Sequence, residues 1–158
     1  MGANAPAWSF REDWVQPDLR SANAVAVLEE LAAPLLADLD ADARTAALQA
    51  LRDREKLGST AMGDGVAIPH AKISGIDDLR VGFGRHLRGA EFGTPDGAPV
   101  QLFFVILSPE QKPGLHLQAL AQVARMTRTP EARERILHAP ANKLTSVLND
   151  LLKQAAGD

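Results

Sequence analysis

The segment VQLFFVILSP, Val100 to Pro109, constrains the fold more than any other stretch of this chain. It is apolar almost throughout and bounded by turn residues, the pattern of a strand central enough to be buried on both faces. Such a strand needs neighbours in a sheet and covering layers on either side. Its apolar core, LFFVIL, falls far short of the roughly 20 residues of a membrane helix, so no membrane insertion is expected.

The neighbours are legible. LRVGFGRHL alternates as a half-buried strand does, with Val81, Phe83 and Arg85 on one face and Gly82, Gly84 and His86 on the other. GVAIPHAKI reads as a short extended segment, because Pro69 disfavours helix at Ile68. Helical spacing lies to either side of these strands. In SANAVAVLEELAAPLLADL, Val25, Leu28, Leu31 and Leu35 predict one helix, kinked or ended near Pro34. A second is predicted from Asp42 to Arg54, with Ala47, Leu48 and Leu51 on one face and Gly58 as its stop. After the strands, Leu115, Leu117, Leu120 and Val123 form an apolar stripe. TPEARERIL opens with a helix-start signal, and Leu144, Val147, Leu148 and Leu151 repeat at helical spacing.

Helices at both ends with strands between them predict an α/β fold: a single-domain sandwich with a central mixed β-sheet flanked by helices. Residues 1–20 show no period and read as an irregular arm anchored by Trp8, Phe10 and Trp14, with the domain proper over 21–155. At 158 residues, 46% hydrophobic and 23% charged, the chain has the size and composition of one ordinary globular domain. A net charge of -3 gives no basic footprint, so nucleic acid is not an expected partner. Without cysteine, thiol catalysis, disulfides and thiolate metal sites are excluded. The first residues lack the basic head and apolar run of a signal peptide, and a cytoplasmic protein is expected.

One stretch concentrates chemistry. DREKLGSTAMGDGVAIPHAK, Asp53 to Lys72, brings together Arg54, the hydroxyls of Ser59 and Thr60, three glycines and His70. Glycines admit close backbone approach, hydroxyls and N–H groups donate to phosphoryl oxygens, and a guanidinium fork matches them in charge and shape. Pro69 stiffens the backbone that carries the imidazole. Every part suits an anion on or near His70. Each also has a plainer use: Arg54 can complement a helix end, and Ser59 and Thr60 can satisfy turn N–H groups.

These residues resemble the active-site segment of enzyme IIA domains of the fructose/mannitol type, from the phosphoenolpyruvate-dependent phosphotransferase system, a group that includes nitrogen-regulatory IIA proteins. The similarity runs from about Ser21 to Leu152 and is tightest over Arg54–Lys72 and Val100–Ala124, where PVQLFFVILSPEQKPGLHLQALAQVAR carries a second histidine, His116. The resemblance implies the fructose/mannitol-type IIA fold. It also implies that His70 takes a phosphoryl group from the carrier HPr or a nitrogen-branch HPr-like protein, and passes it to a IIB domain or keeps it as a regulatory mark. His116 corresponds to the family's supporting histidine and Arg54 to its cation. Helix capping is the plainer use of His116.

Physical chemistry agrees with those roles. A neutral imidazole offers one lone pair to phosphorus while its other nitrogen carries a proton that needs an acceptor. Phosphoryl transfer through a loose transition state asks the protein mainly for positioning and electrostatic stabilisation, which donors supply without metal or cofactor. Met62 and its apolar neighbours read as a patch for the docking carrier. The chain ends soon after the last helix, which favours a stand-alone component and, of the two branches, the nitrogen-regulatory one. Rival expectations are a sugar-specific IIA component, a binding module merely switched by phosphorylation, and a metal hydrolase built on His70 and His116. The last is disfavoured because no helix carries metal-ligand spacing.

Overall fold

The computed structural model describes residues 6–157, so the first five residues of the expected arm lie outside the described residues. The elements are β1 (Val15–Gln16), α1 (Ala24–Ala32), α2 (Ala41–Leu57), β2 (Ala61–Gly63), β3 (Val66–Ala67), β4 (His70–Ile73), β5 (Arg80–Ala90), β6 (Val100–Pro109), α3 (Pro113–Met126), α4 (Pro130–His138) and α5 (Leu144–Ala156). The sheet runs β1-β5-β6-β3-β2, with β4 also paired to β6. β6 is antiparallel to β5 and parallel to β3 and β4, so the sheet is mixed.

β6 is the central strand its sequence predicts. Leu102, Phe104 and Ile106 point into one core with Val81, Phe83, Ala119, Val123 and Leu148. Phe103, Val105 and Leu107 point into the other with Leu28, Leu31, Ala47 and Leu51. Period-two alternation thus feeds two cores, one under α3–α5 and one under α1–α2. Gly82 and Gly84 keep the second face flat. A Cβ at Gly82 would stand 2.6 Å from Leu35, and one at Gly84 2.5 Å from Leu19. The helices therefore lie directly on the strand.

The start signal at Thr129–Pro130 and the stop at Gly58 act as read: Thr129 caps α4 ahead of Pro130, and Gly58 follows the end of α2. α2 is longer than the expected Asp42–Arg54, with Asp40 as its cap, accepting from the Ala43 N–H at 2.8 Å. Near Pro34 the first helix tightens into a 3-10 turn over Ala33–Leu36.

Three details differ from expectation. The arm is not irregular throughout: Val15 and Gln16 add a strand beside β5, and Phe10 is 3% exposed and bonded through its backbone to the Asn149 side chain. In α1 the buried face carries Val27, Leu28, Leu31 and Ala32, leaving Val25 in solvent. In α3 the buried face is His116, Ala119, Val123 and Met126, whereas Leu117 is 69% exposed. Leucine spacing alone misphases this helix, because one of its three leucines, Leu117, faces solvent and none of the three is fully buried.

Candidate active site

The Ile68–Pro69 step explains the position of His70. β3 and β4 both run parallel to β6, but pairing lapses between Ala67 and His70, where proline offers no N–H. Outside the ladder, the Ile68 carbonyl turns to the His70 ring and lies 2.7 Å from Nδ1. A carbonyl only accepts, so the proton sits on Nδ1 and the lone pair is on Nε2. The geometry thus supplies the acceptor that a nucleophilic imidazole requires.

Ala71 and Ile73 face the α1–α2 core, so His70 projects to the opposite face, towards α3. There His116 meets it edge-to-face, with ring centroids 5.0 Å apart. Arg54, in the last turn of α2, reaches β4 and directs Nε at His70 Nε2 at 3.3 Å. A second guanidinium nitrogen donates to the Gly58 carbonyl at 2.9 Å and orients the group. The three residues implied by the resemblance converge at an edge strand.

Electrostatics disfavour protonation of both rings. Burial pulls His70 below the ordinary histidine range and the Arg54 charge adds to this, while the Ile68 bond acts in the opposite sense. Burial, together with the potentials of His70 and Lys72, pulls His116 down to about 4. His116 is 6% exposed, and its Nδ1 lies 2.6 Å from the Ser108 hydroxyl.

Ser59 and Thr60 line the same open cleft, with Met62, Leu120 and Ala124 opposite. Their hydroxyl protons are committed elsewhere. Ser59 Oγ donates to the Phe92 carbonyl at 2.7 Å and accepts from the Ala61 N–H. Thr60 Oγ1 donates to one Glu55 oxygen at 2.7 Å, while the Thr60 N–H donates to the other at 2.8 Å. Beyond them, β2 and β3 turn through Asp64 and Gly65, both at positive φ as a two-residue hairpin demands. His86 and His138 are engaged elsewhere, with the Ser21 carbonyl and Glu134. Among the described residues no group of three His, Asp or Glu side chains is placed to hold a metal ion.

Sequence reasoning passed over Glu55, the Ile68 carbonyl and Ser108. Glu55 was legible only as a charge in REK. Pro69 signals a break in backbone pairing without saying where the freed carbonyl goes. Ser108 is the one hydroxyl in β6, at the end of the apolar run LFFVIL, and a buried polar side chain there calls for a partner.

Fold and site together define a class: a small α/β domain offering one neutral imidazole at a sheet edge, beside a second imidazole and a guanidinium. Residues 9–151 match the family model described as phosphoenolpyruvate-dependent sugar phosphotransferase system, EIIA 2, and the chain belongs to that family. A nitrogen regulatory protein of Pseudomonas aeruginosa is 40% identical over 128 residues, covering 79% of this chain and 82% of that protein. A phosphotransferase-system fructose-specific EIIA component of Haloferax volcanii is 37% identical over 120 residues, covering 73% of this chain and 78% of that one. The crystal structure of nitrogen regulatory protein IIA-Ntr from Neisseria meningitidis superposes with a TM-score of 0.79 at 30% identity, over 88% of this chain and 95% of that one. The mixed sheet flanked by five helices is the enzyme IIA fold that the resemblance implies.

Proposed function

We propose that the protein is a phosphocarrier in which Nε2 of His70 receives a phosphoryl group from the phosphohistidine of HPr or a nitrogen-branch HPr-like carrier. The observation that supports it best is the pairing of Nδ1 with the Ile68 carbonyl, which leaves Nε2 with its lone pair at the cleft. In the transfer, that lone pair forms a bond to phosphorus. The phosphorus–nitrogen bond of the donor breaks, and its electron pair returns to the donor imidazole. No proton has to move. The His70 ring becomes formally cationic, and the Ile68 carbonyl at Nδ1–H stabilises that charge.

Arg54 and His116 are the groups we assign to the phosphoryl oxygens, as a guanidinium fork and a neutral imidazole. Ser59 and Thr60 shape the cleft. Donation from either would require release of Phe92 or Glu55. Met62, 48% exposed in the cleft that holds His70, and Leu117, 69% exposed on the helix that carries His116, give an incoming carrier apolar surface. A cytoplasmic setting goes with this reading, and among the described residues no helix is long and apolar enough to cross a membrane.

A nitrogen-regulatory role, with the phosphoryl group kept as a signal, is favoured by the Pseudomonas and Neisseria relatives. Delivery to a IIB domain is the alternative that the Haloferax relative supports. Incubation with phosphoenolpyruvate, enzyme I and HPr should place one acid-labile phosphate on the protein and none on His70→Ala. Equal labelling of His70→Ala would overturn the proposal. Adding a IIB domain then separates the branches: fast loss of label indicates delivery, retention indicates a regulatory mark.

A further inference from the structure

Ser108 is fully buried at the end of β6, and its hydroxyl has one hydrogen-bond partner among the described residues, His116 Nδ1 at 2.6 Å. Two proton arrangements fit that contact. If Nδ1–H donated to the hydroxyl oxygen, the fully buried hydroxyl proton would have no acceptor among the described residues. Leaving a buried donor unpaired costs about 1–3 kcal/mol. The His116 ring would also carry its lone pair at Nε2, where an anion on His70 would be repelled. If the hydroxyl donates to Nδ1 instead, both atoms are satisfied and Nε2 carries the proton.

From this geometry we infer that Ser108 is a positioning residue: it fixes His116 as the Nε2–H tautomer, so that the ring presents a neutral N–H donor to a phosphoryl group on His70. The inference rests on the carrier reading for its use of that proton. The choice is one of tautomer and not of charge, because burial holds His116 neutral at pH 7. A serine bearing a single proton acts here as a selector for an imidazole that cannot reach solvent on its Nδ1 side. β6 packs Leu102, Phe104 and Ile106 on the same face as Ser108, where an aliphatic side chain would fill the space without fixing any tautomer.

Nitrogen-15 spectra of the imidazole side chains read the tautomer directly, without phosphorylation. Wild-type protein should show His116 with a bare Nδ1 and a protonated Nε2. Ser108→Ala should show a mixture of tautomers, and phosphoryl acceptance from phosphorylated HPr should slow about tenfold with His70 still the labelled residue. Ser108→Thr should restore both readouts to within about twofold of wild type, because it keeps the hydroxyl. A wild-type spectrum with Nδ1–H on His116 overturns the inference whether or not any variant folds. An unchanged tautomer and rate in Ser108→Ala overturn it as well, reducing Ser108 to packing. Wild-type protein that takes no label overturns the carrier reading and the use of the proton together, while the spectrum still decides whether Ser108 sets the tautomer.

Discussion

Nε of Arg54 stands 3.3 Å from Nε2 of His70, so a cationic donor faces the one ring nitrogen that has no backbone partner. While the site is unloaded, this contact discourages protonation of Nε2 and aims the ring. When Nε2 gives its lone pair to phosphorus, the same guanidinium is left beside the phosphoryl oxygens. One residue thus serves the empty and the loaded site, and its second contact, to the Gly58 carbonyl, keeps it in place.

Arg54→Ala should lower the rate of phosphoryl acceptance by roughly 100-fold, the scale of losing one pre-placed donor. Arg54→Lys should lower it by about tenfold, because an ammonium lacks the planar fork. Thermal stability should change little, since Arg54 is partly exposed and bonds only a carbonyl and the His70 ring. Rapid-quench labelling and a melting curve check both statements.

The lowered pKa of His116 makes stability depend on pH. In the unfolded chain the residue titrates near 6.5, while in the fold it is held at about 4. Between those values the unfolded state binds more protons, so stability rises with pH. The contribution is fully present above about pH 6.5 and is lost as pH falls towards 4, to an extent of at most about 3 kcal/mol. His70, lowered in the same direction, adds to the slope. Urea unfolding of wild type and His116→Gln across pH 4–7 should show a shallower slope in the variant.

Glu55 ties the end of α2 to the loop that follows, accepting from both the N–H and the hydroxyl of Thr60. Glu55→Ala strands both donors and should destabilise the protein by about 2 kcal/mol. Glu55→Gln keeps an acceptor for the N–H and should cost less. Chemical denaturation distinguishes them.

Leu117→Glu tests the docking face. The side chain is 69% exposed on α3, the helix that also carries Leu120 and Ala124 to the cleft and His116 to the His70 ring. A charge there should raise KM for phosphorylated HPr by about tenfold while leaving kcat and the melting temperature nearly unchanged. A change in kcat alone would place Leu117 outside the docking surface.

The fold was legible wherever a strand declares its own faces. β5 and β6 alternate as their sequences imply, because a residue in a buried strand must choose one of two cores. Phase within helices was less legible. The leucines of α3 read as one stripe, yet Leu117 lies in solvent while His116 takes a buried position, since the sheet edge and its partner histidine decide which way the helix turns. His70, Arg54 and His116 were named in advance by their resemblance to a known segment. The partners that set their proton positions were not, because Ile68 contributes a backbone carbonyl and Ser108 acts from a strand distant in sequence. Neither leaves a mark that side-chain type alone could show.

The most direct test of the central claim is the nitrogen-15 spectrum of the protein after phosphorylation by phosphoenolpyruvate, enzyme I and HPr. The bond from nitrogen to phosphorus should appear at Nε2 of His70, with Nδ1 still protonated and held by the Ile68 carbonyl. A phosphoryl group on Nδ1 of His70, or on any other residue, would contradict it.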